Sequence, residues 1–110
     1  MNRYVLEGMV RDFLAGRTVV YVGTRADWLR TEDALRAVLC SECVEVTARV
    51  GECVHGESGG RFVFRSTERR GLRGLEADVV YFDMCEVPET LLVDALQVVA
   101  PRGGEVMRSC

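Results

Sequence analysis

GLRGLEADVVYFDMCEVPE, residues 71–89, is the segment around which we expect the rest of the chain to fold. Its run Val79-Val80-Tyr81-Phe82 is apolar at successive positions, which is typical of a strand covered on both faces in a parallel sheet. Asp83 follows directly, and open α/β sheets bind their ligands at the carboxyl ends of the strands. The segment therefore predicts a central strand over residues 77–83 that ends in a site-like carboxylate.

Helices and strands alternate on both sides of this segment. Apolar spacing and turn residues predict the following elements: helix 3–14, strand 18–23, helix 24–39, strands 43–50, 52–55 and 61–65, helix 88–100 and strand 105–108. The strand–helix–strand units at both ends predict right-handed crossovers, with a hairpin in the middle. We expect one α/β domain over residues 1–110, a three-layer α/β/α sandwich with a largely parallel sheet.

Composition limits the function classes. The net charge of −3 does not favour general nucleic-acid binding. No apolar segment approaches the ~20 residues of a membrane span, and the N-terminus does not resemble a signal peptide, so a cytoplasmic protein without membrane contact is expected. All 14 basic residues are arginine. The absence of lysine excludes both Schiff-base chemistry and the lysine that grips phosphate in nucleotide-binding loops.

Four segments together resemble the ATPase domain of the large terminase subunit, the phage DNA-packaging motor, and more loosely the first RecA-like domain of helicases. GRTVVYVGTRADWLRTEDAL (16–35) is similar to the family's strand and helix after the nucleotide-binding loop, and GGRFVFRS (59–66) is similar to its Gly-rich hairpin and the strand that follows. GLRGLEADVVYFD (71–83) is similar to the stretch that leads into the Walker B strand, and GGEVMRSC (103–110) falls where the family has the strand of its ATP-coupling motif. The resemblance implies a RecA-like, P-loop-type fold and a phage-encoded protein.

The resemblance also implies which residues would hydrolyse ATP, and this chain departs from that set. The family's phosphate-binding (Walker A) loop precedes the helix that corresponds to residues 3–14, so we expect a truncated fold without that loop. Asp83 matches the Walker B aspartate that holds magnesium, but Met84 stands where the family has the glutamate that activates water. We therefore expect a non-enzymatic, degenerate relative that needs no cofactor and acts by binding a partner.

A divergent, metal-dependent nucleotide hydrolase is the alternative for the same segment. Asp83 and Glu86 would bind a divalent metal, with water completing its shell, and arginines would hold the phosphates. In the simpler interpretation, Asp83 is a solvated or capping carboxylate at the end of a strand.

An arginine cluster supplies the predicted partner-binding surface. Five of the thirteen residues from 61 to 73 are arginines, with Glu68 the only acid: Arg61, Arg65, Arg69, Arg70 and Arg73. They could contact phosphate, or they could form a solvated face that pairs with nearby acids. Together with Thr24 and Arg25 they are candidates for binding a partner. Because the chain is acidic, we expect a protein partner, from the host or the packaging machinery, rather than nucleic acid; a homo-oligomer is a further alternative.

The cysteines and the single histidine give a third hypothesis. Cys40, Cys43, Cys53 and His55 have a spacing that could hold zinc in a small interaction module. The simpler interpretation is that all five cysteines are reduced thiols and that His55 is an exposed residue beside a turn. No second histidine is present, so the sequence nominates no nucleophilic triad.

Overall fold

The computed structural model describes residues 3–41, 46–49, 51–67, 72 and 74–109, and the side chains of these except at positions 3, 39–41 and 46–49. Its elements are α1 (Arg3–Leu14), β1 (Thr18–Gly23), α2 (Arg25–Ser41), β2 (Val46–Arg49), β3 (Glu52–His55), β4 (Arg61–Ser66), β5 (Val79–Phe82), α3 (Glu89–Val99) and β6 (Glu105–Arg108). A single 3₁₀ turn, Ala100–Arg102, follows α3. The order of elements predicted from the sequence is confirmed.

The strands form one six-stranded sheet in the order β2-β3-β4-β1-β5-β6. The pairs β1–β4, β1–β5 and β5–β6 are parallel, whereas β2–β3 and β3–β4 are antiparallel. The predicted mixed α/β fold, largely parallel with a hairpin in the middle, is confirmed. β1 lies between β4 and β5, and all six of its residues are buried, as a strand covered on both faces must be.

Alternate residues of the central strands point into two separate apolar layers. Val19 and Tyr21 of β1 pack with α1 and α2, in a cluster that also holds Phe13, Phe62 and Phe64. On the other face, the packing partners come from α3 and from Leu72 and Ala77; this second cluster contains Val20, Val22, Val63, Val80, Phe82, Ala95, Val98 and Val99. The period of two along each strand thus produces the helix–sheet–helix sandwich.

Two short elements differ from their predicted bounds. The central strand is β5, Val79–Phe82, rather than residues 77–83. Asp78, immediately before β5, accepts hydrogen bonds on its carboxylate from the Thr18 backbone nitrogen at 2.8 Å and from Arg102 at 3.2 Å. The predicted strand 43–50 is described only over β2, Val46–Arg49, and the remainder lies outside the described residues.

No helix among the described residues is long and apolar enough to cross a membrane.

Candidate functional site

The carboxyl ends of β1, β4 and β5 meet at one end of the sheet. Gly23 is in register with Ser66 across β1 and β4, and the Thr67 backbone nitrogen donates to the Gly23 carbonyl at 3.0 Å. On the other side of β1, the Asp83 nitrogen donates to the Val22 carbonyl at 2.8 Å. Thr24, Arg25, Thr67 and Asp83 therefore lie around the same strand ends, and we call these four residues the strand-end surface.

The carboxylate of Asp83 is held by a tyrosine from the neighbouring strand. The hydroxyl of Tyr21, a fully buried residue of β1, donates to Asp83 Oδ2 at 2.5 Å. Tyr21 lies in register with Tyr81, two residues before Asp83, and the two rings stack with their centroids 6.2 Å apart. The register of β1 against β5 thus carries the phenol to the end of β5, where Asp83 accepts its hydrogen bond.

The local environment keeps Tyr21 neutral. Burial is the main cause that raises its pKa, and the hydrogen bond to Asp83 acts in the same direction, while a hydrogen bond from Thr31 on α2 acts in the opposite one. Gly23 leaves the space that the phenol needs, because a Cβ there would lie 2.7 Å from the Tyr21 oxygen. The Tyr21 hydroxyl thus holds one carboxylate oxygen of Asp83, while Gly23 leaves room for the phenol and Thr31 hydrogen-bonds to it.

Thr24 and Asp27 begin α2, as the capping-box-like pattern predicts. The Asp27 nitrogen donates to Thr24 Oγ1 at 3.2 Å, and the Thr24 hydroxyl donates to Asp27 Oδ2 at 2.8 Å. The pKa of Asp27 is lowered, first by the hydrogen bond from Thr24 and then by Arg30, whose guanidinium is 2.5 Å away. Arg25 is exposed, and no described side chain forms an ion pair with it. Thr24 is therefore largely a cap, whereas Arg25 points a charge into solvent.

The structure divides the predicted arginine cluster. Arg61 begins β4, opposite Thr18, and so lies at the far end of the sheet from Asp83; its guanidinium pairs with Glu52 at 2.7 Å. Arg65 lies one residue before the carboxyl end of β4 and donates to the Phe64 carbonyl at 3.0 Å. The length of β4 therefore separates Arg61 from the strand-end surface, and its role in partner binding stays a prediction. Three further members lie outside the described residues: Arg69, Arg70 and Arg73.

The residues after Asp83 bear on the metal hypothesis. Met84 packs against the apolar cluster beneath α3, so its side chain turns towards the core. Glu86 is exposed in the loop before α3. Among the described residues, no three acids, cysteines or histidines gather into a potential metal site. A metal at Asp83 would thus depend on Glu86 and water, and that site stays a prediction.

Two of the four residues predicted to bind zinc, Cys53 and His55, are buried. Cys53 is 1% exposed, and burial raises the pKa of its thiol. His55 is 8% exposed, so describing it as an exposed turn residue was wrong. Its ring packs on Phe13 with centroids 5.8 Å apart, and its Nδ1 accepts a hydrogen bond from the Ser58 nitrogen at 3.1 Å. The side chain of Cys40 and all of Cys43 lie outside the described residues.

Cys85 corrects the prediction about the thiols. It is disulfide-bonded, whereas Cys53 is free. Reading all five cysteines as reduced was therefore wrong for Cys85, since the fold decides which thiols come close enough to bond.

His55 gives a direct test of the zinc hypothesis. We expect His55→Ala to lower the free energy of unfolding by about 1–3 kcal/mol, because the Ser58 nitrogen loses its acceptor and Phe13 loses a ring contact. The loss should be the same in excess EDTA and with one equivalent of zinc, as measured by urea unfolding. A loss that appears only in the presence of zinc would show that His55 is a metal ligand.

Comparison with known proteins gives a structural likeness but no sequence family. No family model matches the sequence, and no curated protein matches it. Among solved structures, the fold is similar to the large terminase from a thermophilic bacteriophage, with a TM-score of 0.63 and 19% sequence identity. The alignment covers 97% of this chain and 27% of that terminase, so the chain spans about a quarter of that protein. At this identity the likeness shows the fold alone.

Proposed function

We propose that this chain is a terminase-type ATPase-fold domain that acts by binding a protein partner and does not hydrolyse nucleotide. The observation that carries the proposal is the state of the strand-end residues. Asp83, at the position of a Walker B aspartate, has one oxygen occupied by the Tyr21 hydroxyl, and the next side chain, Met84, packs into the core. No carboxylate at that next position is available to activate a water.

The chain also lacks the lysine that would hold the phosphates of a nucleotide during hydrolysis. The chain contains no lysine, so the cation that holds the β- and γ-phosphates would have to come from an arginine or from another polypeptide segment. The described arginine nearest the strand end of β4, Arg65, donates to a backbone carbonyl. Both features support a domain that keeps the fold of a nucleotide hydrolase without its chemistry.

The partner that best fits this surface is a protein. Arg25 offers an exposed charge beside Thr67 and the end of β5, on a chain whose net charge is −3. The net negative charge of the chain would repel a nucleic acid as it approaches, whereas an acidic patch on a protein needs only the local positive charge of Arg25. Arg69, Arg70 and Arg73, which lie outside the described residues, remain candidates for binding the same partner.

Nucleotide binding provides the decisive experiment. We expect isothermal titration of the protein with ATP and Mg²⁺ to show no binding in the micromolar range, with Asp83→Asn behaving like the wild type. Micromolar affinity that is lost in Asp83→Asn would contradict the proposal and establish a metal-dependent nucleotide hydrolase or nucleotide-binding domain instead.

The binding surface is tested separately by charge reversal. Arg25→Glu combined with Arg65→Glu should abolish cross-linking to the natural partner in the cell that produces the protein, whereas Arg11→Glu on the exposed side of α1 should not. Salt-sensitive binding of duplex DNA that is lost when Arg69, Arg70 and Arg73 are all changed would identify nucleic acid as the partner.

A further inference from the structure

The helix α3 is apolar around nearly half of its circumference. Its inner side is buried through Ala95, Val98 and Val99. Three more large apolar side chains point outwards, with exposed fractions of 37%, 46% and 53%: Leu92, Val93 and Leu96. Since each residue advances about 100° around a helix, the inner positions together with Leu92 and Leu96 form one stripe of roughly 160°, and Val93 lies just beyond it, past Glu89. A surface helix usually needs a stripe of only about 100° to cover a core, so the outer part of this one is left over.

The remaining polar groups on α3 are acidic or neutral. Glu89 lies at the edge of this stripe, between Leu96 and Val93 around the helix, and Asp94 lies beyond Val93. No described side chain forms a hydrogen bond or ion pair with Glu89 or Asp94. The helix carries no basic residue, so its outward face combines an apolar ridge with negative charge that no described side chain pairs with.

The same residues surround a surface cavity. It has a volume of about 360 Å³ and is lined by Glu89, Thr90, Val93 and Asp94, so that carboxylates stand on both sides of an apolar floor. Arginine and lysine side chains lay their methylene stems on apolar surface and keep their charged heads beside acids. The cavity is therefore suited to a long cationic side chain.

From these features we propose that the outer face of α3 is the docking site for an amphipathic helix of a protein partner, whose apolar stripe is flanked by lysine or arginine. The partner's stripe packs along Leu92 and Leu96, which are one helical turn apart and form the kind of ridge that fits between the side-chain rows of a second helix. A cationic side chain of that helix enters the cavity between Glu89 and Asp94. This surface shares no residue with the strand-end surface, so either can exist without the other.

The charge of the face favours this occupant over a second copy of the chain. A two-fold contact through α3 would bring the acids of one copy against the same acids of the other, and like charges placed together at an interface oppose association. A basic helix neutralises both acids while it covers the same apolar ridge.

A pair of designed peptides tests the proposal. The probe is a fluorescein-labelled, alanine-based helix of about 18 residues, with leucines at i, i+3, i+4 and i+7 and lysines on the flanks; the matched peptide has glutamate in place of each lysine. In fluorescence anisotropy, the full-length chain should bind the basic peptide at least about tenfold more tightly than the acidic one. Leu96→Ser, and Glu89→Gln combined with Asp94→Asn, should each weaken that binding by about tenfold or more.

Two matched variants control for general stickiness. Leu29→Ser removes an apolar side chain on α2 that is 51% exposed, and Glu57→Gln removes an exposed acid in the β3–β4 turn. Neither should change the affinity for the basic peptide. Equal binding of the two peptides, or an effect of Leu29→Ser equal to that of Leu96→Ser, would overturn the proposal. So would a dimer in sedimentation velocity that dissociates on Leu96→Ser, because the face would then belong to a second copy.

Discussion

Gly60→Ala is expected to lower the free energy of unfolding by about 3 kcal/mol or more, which is a large part of the stability of a domain this small. A Cβ at position 60 would lie 1.8 Å from the Phe13 carbonyl oxygen and 3.3 Å from that of Arg17. Both are backbone atoms, so no change of side-chain rotamer can relieve the overlap. The end of α1 would have to move away from the β3–β4 hairpin, and the measurement is urea unfolding followed by circular dichroism.

The hydrogen bonds around Gly60 explain why the position is sensitive. The Gly60 nitrogen donates to Ser58 Oγ at 3.1 Å, the Gly60 carbonyl accepts from the His55 nitrogen at 2.9 Å, and the Ser58 hydroxyl donates to the Phe13 carbonyl at 3.3 Å. Gly60 thus closes the hairpin turn and seats it on α1. Moving the turn would loosen all three bonds together.

Gly8→Ala is the matched control. Gly8 lies within α1, and a Cβ added there would have nothing within 4 Å. Because glycine inside a helix costs about 0.5–1 kcal/mol relative to alanine, this variant should be slightly more stable than the wild type. A Gly60→Ala protein within about 1 kcal/mol of the wild type would contradict the contact as described.

The sequence pattern predicted the helices and strands well because each of them is determined by the spacing of apolar residues within its own segment. The spacing of apolar residues gave α1 over residues 3–14, and the compact run at 18–23 gave β1, both with the observed bounds. The glycine-rich turn and the run that follows placed β4 correctly, within one residue at its end. These segments are governed by neighbours in the chain, so their local sequence is enough to specify them.

The candidate site could be predicted only in part because its main contact is not local. Asp83 was found from its place after β5, but its partner Tyr21 is 62 residues earlier in the chain. That pairing depends on the register of β1 against β5, which nothing within either strand specifies. A tyrosine in a run of valines was the available signal, since a buried phenol needs a hydrogen-bond partner. His55 was predicted to be exposed for the same reason, since the approach of α1, distant in the chain, is what buries it.

Tyr21→Phe is expected to cost about 1–2 kcal/mol of stability near neutral pH, since Asp83 loses a donor in a partly buried position. In a double-mutant cycle with Asp83→Ala, the two losses should not add, with a coupling energy of about 1 kcal/mol or more. Urea unfolding of the four proteins gives the cycle, and additive losses would show that the bond contributes nothing.

The hydrogen bond from Tyr21 to Asp83 should also make the free energy of unfolding depend on pH in the alkaline range. Because the folded chain raises the pKa of Tyr21, the neutral phenol is favoured in the native state, while tyrosine in the unfolded chain ionises near pH ~10. The stabilisation is complete below that pH and is lost as the pH rises above it, as the unfolded state gives up the proton first. The advantage of the wild type over Tyr21→Phe should therefore shrink above pH ~10. Tyr81, whose pKa is also raised by burial, is present in both proteins and cancels in the comparison.

The behaviour of Mg²⁺ distinguishes a structural Asp83 from a catalytic one. If Asp83 is committed to Tyr21, millimolar Mg²⁺ should leave the melting temperature of the wild type unchanged, and Tyr21→Phe should be destabilised equally with and without it. If Asp83 is a metal ligand instead, Mg²⁺ will raise the melting temperature of the wild type through preferential binding to the native state and will fail to do so in Asp83→Ala. The first result supports a fold in which the Asp83 carboxylate joins β1 to β5, because the bond from Tyr21 then accounts for the role of Asp83 without any metal.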